Sequence, residues 1–176
     1  MLLTNAFQEA NNEAEILLTR KIYSDIRSKT AAAYFAIVQQ HQYSIFLLLA
    51  NSPPLHASAF SLLRPLTEAV IKGLWIKLAA TDSQIQKTIS GENVKNTHEM
   101  VRLIASKYNS SKTEINNDNW KALSSYTHSG HLQLQNWIHT KNVEANYSAE
   151  AISDLIKLTR LSSKLAYSAV FTISSE

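Results

Sequence analysis

The sequence predicts an all-α fold, a single-domain helical bundle of about five to seven helices covering residues 1–176. Three observations predict it. Glycine and proline occur only three times each, whereas β-rich folds use both residues in many turns. Apolar residues recur at spacings of three and four over long stretches, the period of one helix face. The apolar fraction is 45%, enough for a core and too high for a disordered chain.

Taken in order, a first helix is expected from about Thr4 to Ile26, capped by Thr4 or Asn5. Phe7, Ala10, Ala14, Leu17, Leu18 and Ile22 share its apolar face. A second helix runs from about Ser28 to Ala50 and stops at Asn51-Ser-Pro-Pro, because the residue before a proline avoids the α region. A third starts at Pro53 or Pro54 and continues to about Ala80. Pro65 kinks it and leaves the Ser61 carbonyl without its usual partner. This third helix is apolar on more than one face and is expected at the centre of the bundle. Asp82-Ser83 caps a short helix that ends near Ser90 and Gly91. Another helix opens at Thr97 and reaches Tyr108, followed by a polar loop at 109–118. Helical sequence resumes near Asn119. The stretch LQLQNWI alternates for a few residues, but an isolated strand has no partner here, so a helix or turn is expected. Ser148 caps a last helix reaching about Thr172.

Composition excludes several classes. The chain has no cysteine, so disulfides, thiolate metal sites and cysteine nucleophiles are ruled out. The first fifteen residues turn polar early, without a signal-peptide core. No apolar run is long enough and free enough of charge to span a bilayer, and a cytoplasmic location without membrane contact is expected. The net charge of +3 lies in the middle third. Residues 52–110 hold seven basic and four acidic side chains, while the flanking segments balance at four and four and at six and six. No basic run points to a nucleic-acid groove. Glycine-rich phosphate loops and nucleophile elbows are absent.

Two short constellations could carry chemistry. In LLRPLTEA, Arg64 and Glu68 stand four apart, on one face of an otherwise apolar helix. Burying such charges is costly unless they pair. They form either a structural ion pair or an anion site in which Arg64 binds and Glu68 orients or acts as a base. The second constellation is SSYTHSGH at 124–131. On a helix Ser124 and His128 share a face, and His128 and His131 are neighbours three apart. A H-x-x-H pair needs a third metal ligand, which the sequence does not identify, so no metal or cofactor is expected. Gly130 reads as a helix end with His131 complementing its dipole. His128 reads as a partly buried, hydrogen-bonded side chain. A small-ligand pocket lined by Tyr126, His128 and Trp75 is a further alternative, with Ser124 and His131 as neighbouring candidates. Trp75, Trp120 and Trp137 otherwise read as core or edge aromatics, and His98 as a capping residue.

The LLRPLTEA helix, followed some sixty residues later by LSSYTHSG, resembles uncharacterised bacterial helical families. These pair R-x-x-x-E on one helix with a Ser/Tyr-x-x-His motif on a later one, and they are similar to HEPN domains. The resemblance covers residues 55–135. It implies a helical bundle, a homodimer, and Arg64, Glu68 and His128 brought together between helices. Active HEPN nucleases carry R-x4–6-H on one helix, and no arginine here is followed by a histidine at that distance, so their nuclease residues do not carry over. Two functions follow. One is a dimerising or partner-binding module in which Arg64, Glu68 and His128 form a buried polar network. The other is a HEPN-like ribonuclease or nucleotide-binding protein in which Arg64 holds phosphate and His128 moves a proton.

Overall fold

The computed structural model describes residues 2–92, 94–107, 117–138 and 143–176. Its elements are α1 (Leu2–Leu18), β1 (Lys21–Ile22), α2 (Ile26–Ala50), α3 (His56–Ser61), α4 (Leu63–Leu78) and α5 (Asp82–Ile89). There follow α6 (Thr97–Lys107), α7 (Asn117–Thr127), α8 (His131–Gln135), α9 (Ala149–Val170) and β2 (Ser174–Ser175). The fold is an all-α bundle with one minute sheet, β1 paired antiparallel to β2. No helix among the described residues is long and apolar enough to cross a membrane.

Two helices share the centre. α2 packs on α1, α3, α4, α5 and α9, and α4 packs on α2, α3, α6, α7 and α9. The sequence reading placed the third helix alone there. α2 joins it because Ala31, Phe35, Val38, Gln42, Ile45, Phe46 and Leu49 bury more than one of its sides. Contact between the two helices is close at Gly73. A Cβ there would come within 2.5 Å of the Phe35 ring, so only glycine lets Phe35 lie flat on α4. Trp75, Phe46, Ile45, Leu66 and Ile76 are fully buried in the same core, the aliphatic and phenyl side chains each contributing about 1.5–3 kcal/mol by burial. Arg27 ties the ends. Its NH1 donates to the carbonyls of Ile76 and Ala80, at 2.7 Å each, and NH2 to Asp82 at 2.9 Å. This supplies donors to carbonyls that the end of α4 leaves open.

Several boundaries differ from the sequence reading. α1 stops at Leu18 rather than Ile26, because Lys21–Ile22 pair with the distant Ser174–Ser175. Arg20 reinforces that tie through Ser174 and lies 4.7 Å over the Phe171 ring. The same pairing ends α9 at Val170. Asp25, whose carboxylate accepts from the Ser28 amide, caps α2. Thr81 caps α5 in a reciprocal pair with Gln84, and Asn96 accepts from the Glu99 amide at the start of α6. α3 begins at His56, after the prolines. Ser148 caps α9 as expected. LQLQNWI forms α8 and a turn, and Ile138 makes an isolated bridge to Val143. The expected loop at 109–118 lies largely outside the described residues.

Gly73→Ala should overpack the Phe35 contact. About 1–3 kcal/mol of strain outweighs the roughly 1 kcal/mol gained in helix propensity, so denaturant melts should show a net loss. The Phe35→Leu, Gly73→Ala double variant should lose less than the sum of the single losses. At the α1–α9 contact, Glu9 bonds Lys164 at 2.7 Å and Arg160 at 2.6 Å. Lys164 foremost, with Arg160, holds the Glu9 carboxyl below its ordinary value of 4.5. Its contribution is therefore complete above that value and is lost as pH falls through the lower folded value. Glu13 nearby is pushed up, chiefly by burial, and acts in the opposite sense. The stability gap between wild type and Glu9→Gln, measured by urea melts, should thus shrink in acid.

Candidate functional site

The site begins with a missing donor. Pro65 sits in the first turn of α4, where a proline's lack of N–H is tolerated. The Ser61 carbonyl nevertheless loses the bond that a residue with an amide would give it. The break falls at Leu62, between α3 and α4, rather than at Pro65 itself. Thr127 answers the loss. Its hydroxyl lies 3.1 Å from the Ser61 oxygen and 3.0 Å from the Leu123 oxygen within α7. α7 is thereby held on the α3–α4 junction.

One turn earlier on α7, Ser124 meets Arg64. Arg64 NH1 donates to the Ser124 hydroxyl, which itself donates to the Trp120 carbonyl at 2.8 Å. Arg64 Nε donates to Glu68 Oε1 at 2.8 Å. The guanidinium carbon stands 5.0 Å over the Trp120 ring, a cation–π contact. The arginine is thus held by a carboxylate, a hydroxyl and an aromatic face. Its NH2 has no hydrogen bond among the described residues. His98 meets Trp120 edge-on, with centroids 6.3 Å apart. Arg64, Pro65, Glu68, Thr127 and His128 line an open polar pocket of about 200 Å³.

The expected trio converges, yet it is not the sealed network read from the sequence. The Arg64 and Glu68 side chains keep 22% and 29% of their exposure, and His128 is exposed. No hydrogen bond links His128 to either of them, because α7 ends at Thr127 and the imidazole projects from the turn beyond. That turn also revises the reading of SSYTHSGH. Ser129, not Gly130, takes the positive φ, at 52°. Gly130 is extended and caps α8. It is needed for close approach, since a Cβ would meet the Ser125 hydroxyl at 2.6 Å and its Cα at 3.0 Å. His131 opens α8, with Nδ1 3.5 Å from the Ser125 hydroxyl. It therefore lies at a helix N-terminus, where it cannot complement a C-terminal dipole, and it does not stack with His128 on one helix.

Tyr126 points elsewhere, onto Phe60 with centroids 5.0 Å apart. Trp75 is fully buried in the core and lines neither the Arg64 pocket nor the groove beside Tyr126. The sequence reading missed Trp120, Thr127 and the contact of His98. A usable signal existed: Trp120, Ser124 and Thr127 recur at spacings of four and three, so one face of α7 presents them together.

Thr127→Val keeps the shape but leaves the Ser61 carbonyl without a donor. It should destabilise by about 1 kcal/mol, read by denaturant melts, while Ser129→Ala, in the adjoining turn, should change little beyond its backbone preference.

No curated protein and no solved structure matches the chain. The chain belongs to a family of unknown function, DUF6988, whose model matches residues 35–176 and takes in every residue of the Arg64 pocket.

Proposed function

We propose that the protein binds a phosphate-bearing ligand, a nucleotide or single-stranded RNA, at the Arg64 pocket. The observation that carries this reading is the held guanidinium. Arg64 is fixed by Glu68, Ser124 and Trp120 while it lines an open pocket, and its NH2 has no hydrogen bond among the described residues. A planar guanidinium suits phosphate oxygens better than an ammonium does, and a group already ordered binds without a further entropy cost. Glu68 neutralises part of the charge, so the pocket is selective by geometry more than by field. A sealed ion pair would have favoured the purely structural reading, and this pair is open.

Cleavage is the second reading, favoured by the exposed His128 at the pocket rim. In this reading the imidazole transfers a proton to or from a group held on Arg64.

The test uses fluorescence anisotropy with a labelled mononucleotide and a short single-stranded RNA. Arg64→Met should weaken binding about tenfold, the effect of losing about 1.4 kcal/mol. Lys157→Gln, an exposed position on α9, should not weaken it. Equal binding by all three proteins, or binding by none, sinks the proposal. Incubation of the same RNA with wild type and His128→Ala separates the two readings, since identical product patterns would leave binding without cleavage.

A further inference from the structure

Away from the Arg64 pocket, α9 carries an apolar ridge. Leu158, Leu161 and Leu165 follow one stripe and are 49%, 61% and 51% exposed. Isolated exposed leucines are ordinary, but an aligned set beside apolar grooves marks an interaction surface. Two apolar grooves lie end to end along one flank of the ridge, and Leu158 and Leu165 form part of their walls. One, of about 530 Å³, lies against the C-terminal half of α9 and is walled by Val70, Leu74 and Ile104 of α4 and α6. The other, of about 400 Å³, lies against the N-terminal half and is walled by Phe60, Leu123 and Tyr126 of α3 and α7. Thr67 and Ser162 line both, so the grooves meet at mid-helix. Neither includes Arg64, Glu68 or His128.

We propose that this face docks a second copy of the chain, α9 against α9, antiparallel about a two-fold axis near Leu161. Three observations select that occupant. First, ridge and groove lie on one face, so the surface is complementary to itself, as a two-fold interface requires. Second, the charges match only in the antiparallel sense. Among the described residues the N-terminal groove holds one charged side chain, Asp154, and the C-terminal groove holds one, Lys77. Antiparallel packing sets the N-terminal half of one α9 against the C-terminal half of the other, so each Asp154 approaches the Lys77 of the other copy. Among the described residues Asp154 otherwise has only an exposed pair with Lys157 at 3.2 Å, and such pairs contribute little. Lys77 has no ion pair among the described residues, and burial pushes its ammonium below the ordinary lysine range. Third, the area suffices. α9 has 22 residues, about 33 Å of helix, and a strip two helices wide, about 20–24 Å, offers roughly 660–800 Å² per copy, close to the size of a standard stable interface.

Sedimentation velocity and light scattering on the full chain test this. The wild type should be a dimer at about 0.1 mM, where a standard interface of micromolar affinity is formed. Leu161→Asp, at an exposed position that leaves the core intact, should be a folded monomer by circular dichroism. Asp154→Lys and Lys77→Glu should each weaken the dimer about tenfold, and the double swap should restore it. Arg64→Met should leave it unchanged, which separates this surface from the ligand pocket. A wild-type monomer overturns the proposal, whether its face is bare or carries a copurified amphiphile in native mass spectrometry. So does a dimer that survives Leu161→Asp, or charge swaps that fail to restore one another.

Discussion

The arrangement of the candidate site depends on one absent proton. Pro65 has no amide hydrogen to give Ser61, and a half-buried carbonyl without a donor is costly. Thr127 takes that role from another helix, 66 residues further along the chain. The one hydroxyl proton, shared with the Leu123 carbonyl, does part of what a backbone bond does elsewhere, and the contact sets the height of α7 on the α3–α4 junction. Ser124 and Trp120 reach Arg64 only because α7 sits at that height. The break in the third helix and the polar pocket are two results of the same proline.

The core sets the other coordinate, the rotation of α4. Leu63, Leu66, Ala69, Val70, Gly73 and Ile76 are buried, and Phe35 lies on Gly73 where no other residue leaves room. With that stripe turned inward, Arg64 and Glu68 fall on the flank facing α7. Arg27 holds the far end of α4 through two backbone carbonyls, which resists sliding of the helix along α2. Small changes in this packing would carry Arg64 with them, so the pocket inherits its rigidity from apolar contacts several residues away.

Helical periodicity is local, and what it governs was legible in the sequence. The bundle, the Ser148 cap, the effect of Pro65 on the Ser61 carbonyl and the pairing of Arg64 with Glu68 all follow from spacings of three and four or from one residue's chemistry, whereas the approach of His128 to that pair was expected only from the family resemblance. What was not legible rests on partners far apart in sequence. The early end of α1 depends on Ser174–Ser175, which no local pattern near Lys21 announces. The openness of the pocket depends on where α7 stops, and it stops at Thr127, with the positive φ at Ser129 rather than at the Gly130 that read as the helix end. Trp120 read as an ordinary core or edge aromatic because its value lies in the arginine above it, on another helix. Trp75, the tryptophan that was named as a candidate site residue from sequence, is enclosed by the core.

The identity of residue 64 is informative in itself. An i,i+4 ion pair that keeps a quarter of its exposure contributes only a few tenths of a kcal/mol, and a lysine at 64 could form it with Glu68. A lysine could not also reach Ser124 with a second fixed donor while lying flat on Trp120. Those three contacts together require the planar fork of arginine. Holding that side chain in one rotamer costs about 2 kcal/mol of freedom, comparable to what the hydroxyl bond and the aromatic contact return. Net stability is therefore a poor reason for the arrangement. An arginine held still at the edge of an open pocket, at little net gain to the fold, is what an anion receptor needs.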